Sequence, residues 1–276
     1  MNPTWKGEGT YPDFPRITVA GWARVALRGF LALILILTGL VILLLLRMAE
    51  RPFCGAGRPL SAYPVQVVSR LMLVLLGLRL RTQGAPMRQP GVLVANHCSW
   101  LDIFVLNTRK RVFFVSKSEV AEWPLIGGLA RVVGTLFITR NPRDARVQTD
   151  QFRERLAVGH RLLFFPEGTS SDGQRVLRFK STLFAAFFDP PLRDRMMVQP
   201  VSVAYRASAH HDPRFLCWWG DMEFAAHALQ VLAHGGGASV TVVYHPPVAV
   251  IDFHDRKALA AYCEETVRAG LAQAVA

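Results

Sequence analysis

His97 and Asp102 stand five positions apart in "VLVANHCSWLD", residues 92–102, directly behind an apolar run. Read as a strand over 92–96 and a helix over 99–106, this stretch puts the imidazole at a strand's carboxyl end. Asp102 then lies in the first turns of the helix, with Ser99 as a candidate N-cap. A carboxylate bonded to one ring nitrogen fixes the tautomer and leaves the other nitrogen free to take a proton from an alcohol. The competing reading is a histidine that plugs the strand end, with Asp102 facing solvent.

A second polar cluster follows another apolar run in "FFPEGTSSDG", residues 164–173. Pro166 and Gly168 flank Glu167 and aim a carboxylate from a fixed turn, or else let it bind loop amides. Thr169, Ser170 and Ser171 add hydroxyls and backbone N–H groups. Lys117, Arg140 and Lys180 each close an apolar run ("FFVSK", "LFITR", "RFK"). Singly they read as solvated strand ends; converging on the His97 loop they form a pocket for a phosphate or carboxylate.

No G-x-S-x-G elbow supplies a serine nucleophile, and Cys98, adjacent to His97, reads as packing. The H-x-x-x-x-D spacing is not a metalloprotease signal, since no second histidine stands four residues away, and the chemistry expected here requires neither a metal nor a bound cofactor. Without a covalent nucleophile, the simplest chemistry is direct attack by a substrate alcohol, with His97 as general base.

The elements that must position these groups are an α/β set. "GVLVANH", "RVFFVSK", "GTLFITR", "RLLFFPEG", "MMVQPVSVAY" and "ASVTVVYHPPV" read as strands. They alternate with helix-compatible pieces at 99–108, 122–133, 144–159, 179–189 and 255–276. The expected fold is a mixed sheet covered by helices on both faces, spanning residues 85–276.

Ahead of it, residues 1–84 read as a membrane-anchoring helical region. Residues 29–46 form an uncharged run of 18, bounded by Arg28 and Arg47. At about 1.5 Å per residue such a helix covers roughly 27 Å, close to a hydrocarbon core. "RMAERPF" is a poor cleavage site, so a retained span is expected rather than a leader. A second apolar block, 65–84, is interrupted by Arg70 and Arg79 and reads as an interfacial or re-entrant helix.

The 276 residues carry 32 Lys+Arg against 20 Asp+Glu, a formal charge of +12. Between Arg51 and Trp100 there are six arginines and no acid, directly after the apolar run, which suits an anionic membrane better than nucleic acid. No nucleic-acid-binding signature occurs. Four cysteines without a CxxC pair indicate neither a disulfide scaffold nor a zinc site, and fit a reducing compartment.

"NHCSWLD", "GTLFITR", "FPEGTSS" and "VQPVSVAY" occur in this order and together resemble the four blocks of the glycerolipid, or lysophosphatidate, acyltransferase family. The resemblance covers roughly residues 60–250. It implies that His97 and Asp102 are the catalytic pair. By the same resemblance Gly134 and Arg140 fall on the second block, whose arginine engages the acceptor's phosphate; Glu167 and Gly168 bind the acceptor and shape its site, and Pro200 serves the donor side and local architecture. The implied donor is an acyl thioester on acyl carrier protein or coenzyme A, and the acceptor is a membrane lysolipid. The expected setting is a bacterial inner membrane with the catalytic domain facing the cytoplasm.

Many relatives read FPEGTRS where this chain has Ser170. "FPEGTSSDG", "RFKSTLF" and "WWGDMEF" resemble the bacterial branch that acylates lyso-ornithine lipid. The family as a whole points to lysophosphatidate as acceptor and phosphatidate as product, which is the main expectation; the local motifs make lyso-ornithine lipid the alternative. A non-catalytic membrane lipid-binding protein is the alternative outside enzymology.

Overall fold

A computed structural model describes residues 4–7, 10–55, 57–123, 126–139 and 145–275. Its first element, α1 (Val19–Cys54), begins where Thr18 Oγ1 accepts the Gly21 N–H at 3.1 Å. Arg24 Nε then donates to Ala233 O at 2.8 Å, and Arg28 Nη1 to Leu232 O and His234 O at 3.0 and 2.8 Å. These carbonyls end α7 (Phe224–Ala233), so two guanidinium groups close the C-terminus of a distant helix.

Beyond Arg28 the helix exposes Phe30, Leu33, Leu37, Val41 and Leu45. It is long and apolar enough to cross a membrane, and only 6% of its most apolar window is buried. So much exposed apolar surface marks α1 as membrane-associated. Gly39 lets α2 (Tyr63–Leu75) approach closely: a Cβ there would stand 2.3 Å from Val68 Cγ2.

The block at 65–84 is not one helix. α2 ends in a Schellman turn, with Gly77 at φ +66°, Leu78 N–H on Leu73 O and Gly77 N–H on Val74 O, both at 2.9 Å. Arg79–Gln83 then form β1, which pairs in parallel with β7 (Ser239–Tyr244). Strand alternation after a glycine stop outweighs the apolar composition. The stretch 179–189 also departs from an α-helix. Ser181–Phe188 wind as a 3₁₀ helix, whose three-residue turn stacks the fully buried Phe184 and Phe187 on one side. "ASVTVVYHPPV" is divided at its prolines into β7 and β8 (Val248–Ala249).

The remaining strands are β2 (Gly91–Ala95), β3 (Phe113–Lys117), β4 (Leu136–Ile138), β5 (Arg161–Phe164) and β6 (Met197–Arg206). The sheet order is β1-β7-β6-β2-β5-β3-β4, with β8 beside β6. β6 runs antiparallel to β7 and β8; the other pairs are parallel. Pro200 sits where β6 changes partner from β8 to β7, a point at which no ladder N–H is needed.

The pleat divides the core. Leu93 and Ala95 face one apolar cluster with Leu163 and Val203, while Val92 and Val94 face the other with Leu162 and Phe164. α3 (Asp102–Asn107), α4 (Ile126–Val133), α5 (Ala145–Ala157), α6 (Pro190–Arg193) and α8 (Arg256–Val275) complete the fold. In the register, Val94 lies level with both Phe164 and Pro200. The carboxyl ends of β2 and β5 are therefore neighbours, and the turns beginning at His97 and Phe165 leave the sheet side by side.

His227 on α7 is buried, accepts the Trp100 Nε1–H at 2.9 Å and contacts Phe215 O at 3.1 Å. Burial pushes its imidazole down to about 4, below the ordinary 6.5. The stability this neutral ring contributes is complete above pH 6.5 and is lost as the pH falls through about 4. Its part of the acid destabilisation should be roughly 3 kcal/mol. His227→Gln, which keeps an acceptor for Trp100, should flatten the denaturation midpoint between pH 7 and 4; chemical denaturation across that range measures it.

Candidate active site

The chain leaves β2 through Asn96, whose side-chain amide pairs with Val203 on β6: Oδ1 accepts its N–H at 2.8 Å and Nδ2 donates to its carbonyl at 2.9 Å. The ladder is thus extended by one side chain, and the next residue is aimed out of the sheet. That residue is His97. Its Nδ1 lies 2.7 Å from Asp102 Oδ2, its side chain is 22% exposed, and Asp102 is fully buried. The ring stacks on Phe165, with centroids 4.1 Å apart and planes 15° from parallel.

Asp102 Oδ2 also accepts the N–H groups of Cys98 and Ser99, at 3.0 and 3.1 Å, and Oδ1 accepts the Tyr205 hydroxyl at 2.8 Å. Ser99 is not the helix cap: α3 starts at Asp102, and Ser99 Oγ instead accepts the Leu101 N–H at 3.3 Å. Capping is reversed here, with the helix's first carboxylate collecting the preceding amides. Burial and the charge of Asp102 raise Tyr205 well above the usual phenol range, so its hydroxyl remains a donor.

Glu167 faces the same turn but does different work. Oε1 accepts the His97 N–H at 2.8 Å and Oε2 the Leu177 N–H at 2.9 Å. It is buried, and burial pushes its carboxyl up to about 8 even though both amides favour the anion. Of the two uses open to it in the sequence, it takes the binding of loop amides. The His97 carbonyl accepts in turn from the Ser171 N–H at 2.8 Å, and Cys98 O from the Trp218 N–H at 2.8 Å.

Lys117 and Lys180 meet at Gly168. Lys117 Nζ donates to Gly168 O at 2.5 Å, and a Cβ on Gly168 (φ +70°) would lie 2.7 Å from Lys180 Nζ. Two of the three expected cations therefore converge on the loop beside His97; Arg140 lies outside the described residues. Thr169 Oγ1 reaches Ser170 O at 3.5 Å, and Ser170 is buried. Gly134 lies away from this loop, next to Arg58 and Phe113. Tyr205, Phe165 and Asn96 are functional neighbours that spacing alone did not reveal, although each lies in or beside a quoted block.

The arrangement offers an imidazole held through Nδ1 by Asp102, beside a loop that two lysines approach. The family model described as Acyltransferase matches residues 79–204. The lyso-ornithine lipid O-acyltransferase of Rhodobacter capsulatus is 49% identical over 271 residues, covering 98% of each chain. The enzyme of that name from Brucella abortus is 39% identical over 217 residues, 75% of this chain and 80% of the relative. The crystal structure of the 1-acyl-sn-glycerophosphate (LPA) acyltransferase, PlsC, from Thermotoga maritima shares the fold, with a TM-score of 0.57 at 21% identity, covering 90% of this chain and 98% of that one. The chain belongs to the glycerolipid acyltransferase family. It is a lysolipid acyltransferase.

Tyr205→Phe removes the sole O–H donor among the four groups that solvate Asp102. Loss of a hydrogen bond to a buried charge should lower kcat for acyl transfer about tenfold by loosening the ring's orientation, with KM little changed. Glu167→Gln turns an NH₂ group toward one of two backbone donors, so it should behave as a disruptive change. A lowered melting temperature together with reduced turnover is the expected result.

Proposed function

We propose that this enzyme acylates the free hydroxyl of lyso-ornithine lipid, using an acyl thioester on acyl carrier protein or coenzyme A. The identity with the Rhodobacter capsulatus enzyme across 98% of both chains carries the choice of acceptor. A serine at position 170, where the phosphate-acceptor pattern has arginine, supports it. An ornithine headgroup presents a carboxylate and an ammonium, and the lysine pair at Gly168 suits one anionic group.

In this reading His97 Nε2 takes the hydroxyl proton as the oxygen attacks the thioester carbonyl. The tetrahedral intermediate collapses with C–S cleavage, and the departing thiolate takes the proton back from the imidazolium. The N–H groups of His97, Cys98, Ser99, Gly168 and Ser171 are already engaged within the loops. The amides of Thr169 and Ser170 are the oxyanion donors we assign. The exposed apolar helix holds the site at a bilayer that contains both lipid and product. Arg47, Arg51 and Arg58 after the span, against Arg24 and Arg28 before it, give a small bias toward a domain on the cytoplasmic side of an anionic inner membrane.

The test offers purified protein in detergent both lyso-ornithine lipid and lysophosphatidate, with labelled acyl-carrier protein and acyl-coenzyme A. At least a tenfold advantage in kcat/KM for lyso-ornithine lipid is expected; the reverse preference makes phosphatidate the product. His97→Ala should lower turnover by about 10²–10⁴-fold while membrane binding persists. Wild-type turnover in that variant removes His97 from the mechanism.

A further inference from the structure

At the amino-terminal ends of β3 and β5, the side of the sheet away from His97, lies a cavity of about 180 Å³. Arg58 and Pro59 of the α1–α2 connector, Arg111, Phe113, His160 and Arg161 line it. This volume far exceeds the roughly 10–15 Å³ that one water needs.

His160 is 7% exposed, and neither ring nitrogen has a hydrogen-bond partner among the described residues. Arg58 Nε and Arg155 Nε are buried without partners as well. The His160 ring lies 4.1 Å from that of Phe113, and the Arg155 guanidinium sits over the same ring at 4.7 Å. Buried polar groups are ordinarily satisfied, and two of these residues, His160 and Arg58, belong to the cavity wall, so the wall lacks acceptors.

The charges are as one-sided as the hydrogen bonding. Burial, followed by Arg155, Arg58, Arg47 and Arg111, pushes His160 down to about 3. Burial and the neighbours Arg58 and Arg47 bring even Arg155 down to about 10. Among the described residues the carboxylate that acts on Arg58 is that of Glu50; its Oε1 is taken by the N–H groups of Leu60 and Ser61, and its Oε2 is buried without a partner. Several of the arginines also hold backbone: Arg58 Nη1 donates to Val132 O at 2.7 Å and Arg111 Nη1 to Pro59 O at 2.9 Å. The cluster is therefore built into the fold and is not a set of free surface cations.

We propose that this cavity binds a phosphate group, with the imidazole of His160 as a neutral donor and Arg58, Arg111 and Arg161 as guanidinium partners, tying the α1–α2 connector to the sheet. Guanidinium forks match tetrahedral oxyanions, and one bound anion relieves both the mutual repulsion and the missing acceptors. Arg47 directly follows the apolar run of α1 and donates to Gly57 O at 2.8 Å, which sets the cavity beside the end of the span. A phospholipid headgroup and free phosphate carry the same group.

The experiment follows thermal unfolding of the full chain in neutral detergent at constant ionic strength. The probes are inorganic phosphate against chloride, and phosphatidylglycerol against a glycolipid without phosphate in mixed micelles. At about one hundred times Kd, the wild type should gain about 5 °C, while His160→Phe and Arg111→Gln gain less than about 1 °C. His160→Phe should fold as well as wild type without any anion, since it removes an unsatisfied group. A gain with lipid alone assigns the headgroup; a gain with both probes assigns the phosphate itself. Equal gains in wild type and variants, or no gain in wild type with either probe, overturn the site. Should the variants not fold, saturable ³¹P line broadening of either probe by wild type supports the site, and its absence for both overturns it.

Discussion

A buried carboxylate with four donors sets the terms for this active site. Asp102 has no solvent contact, and stripping water from a carboxylate costs several kcal/mol unless protein donors replace it. The donors come from three places: the imidazole, two successive amides of the β2 turn, and a phenol on β6. The phenol joins the other three only if β2 and β6 hold their register, with Ala95 opposite Val201 and the Asn96 side chain clasping Val203. The parallel pair at the centre of the sheet is thus a requirement of the histidine's orientation. Any slip between these strands would take the Tyr205 donor from the buried charge and undo the Asn96 clasp.

The second carboxylate shows why neighbouring acids need not share a role. Asp102 gives one oxygen to the ring, whereas both Glu167 oxygens are consumed by backbone, one on each side of the site. Glu167 therefore fixes where the 97 and 177 segments stand, and Ser171 and Trp218 complete the cross-ties to the same turn. Its raised carboxyl, at about 8, records how thoroughly that brace is removed from water. Rigidity at this junction has a chemical consequence: the ring is held by Asp102 along one edge and by Phe165 across one face, and 22% of the side chain remains accessible.

Local sequence carried the parts of this design that depend on short spacing. A histidine at a strand end and an aspartate opening the next helix can meet across one turn, so their pairing was legible, as were the parallel strands that precede each polar loop. Tyr205 was not, because its contact with Asp102 spans 103 positions and depends on strand pairing. The apolar stretch at 65–84 misled for a different reason: the apolar run of the helix continues into a half-exposed edge strand, and Gly77 alone marks the change. The 3₁₀ segment at 181–188 was hidden similarly, since aromatic residues three apart fit either helix type until packing selects one. Lysines at 117 and 180 looked like isolated strand ends, and only the fold brings both to Gly168.

Net charge was the coarsest of these signals, and the structure changes what it means. A surplus of +12 beside an apolar span suggests cations reaching for lipid. Yet Arg24 and Arg28 close a helix terminus, Arg47 holds the connector's carbonyls, and Arg161 holds Met87 O and Arg88 O. Such arginines cement backbone to backbone where a helix or loop would otherwise end with bare acceptors, and a guanidinium can do this while its stem packs on apolar surface. The cost of that construction is repulsion wherever several ends meet. It is greatest at the amino-terminal edge of the sheet, where the α1–α2 connector brings Arg47 and Arg58 to the positions already occupied by Arg111 and Arg155. Placing that concentration at the end of the sheet opposite His97 keeps its field away from the carboxylate that orients the ring.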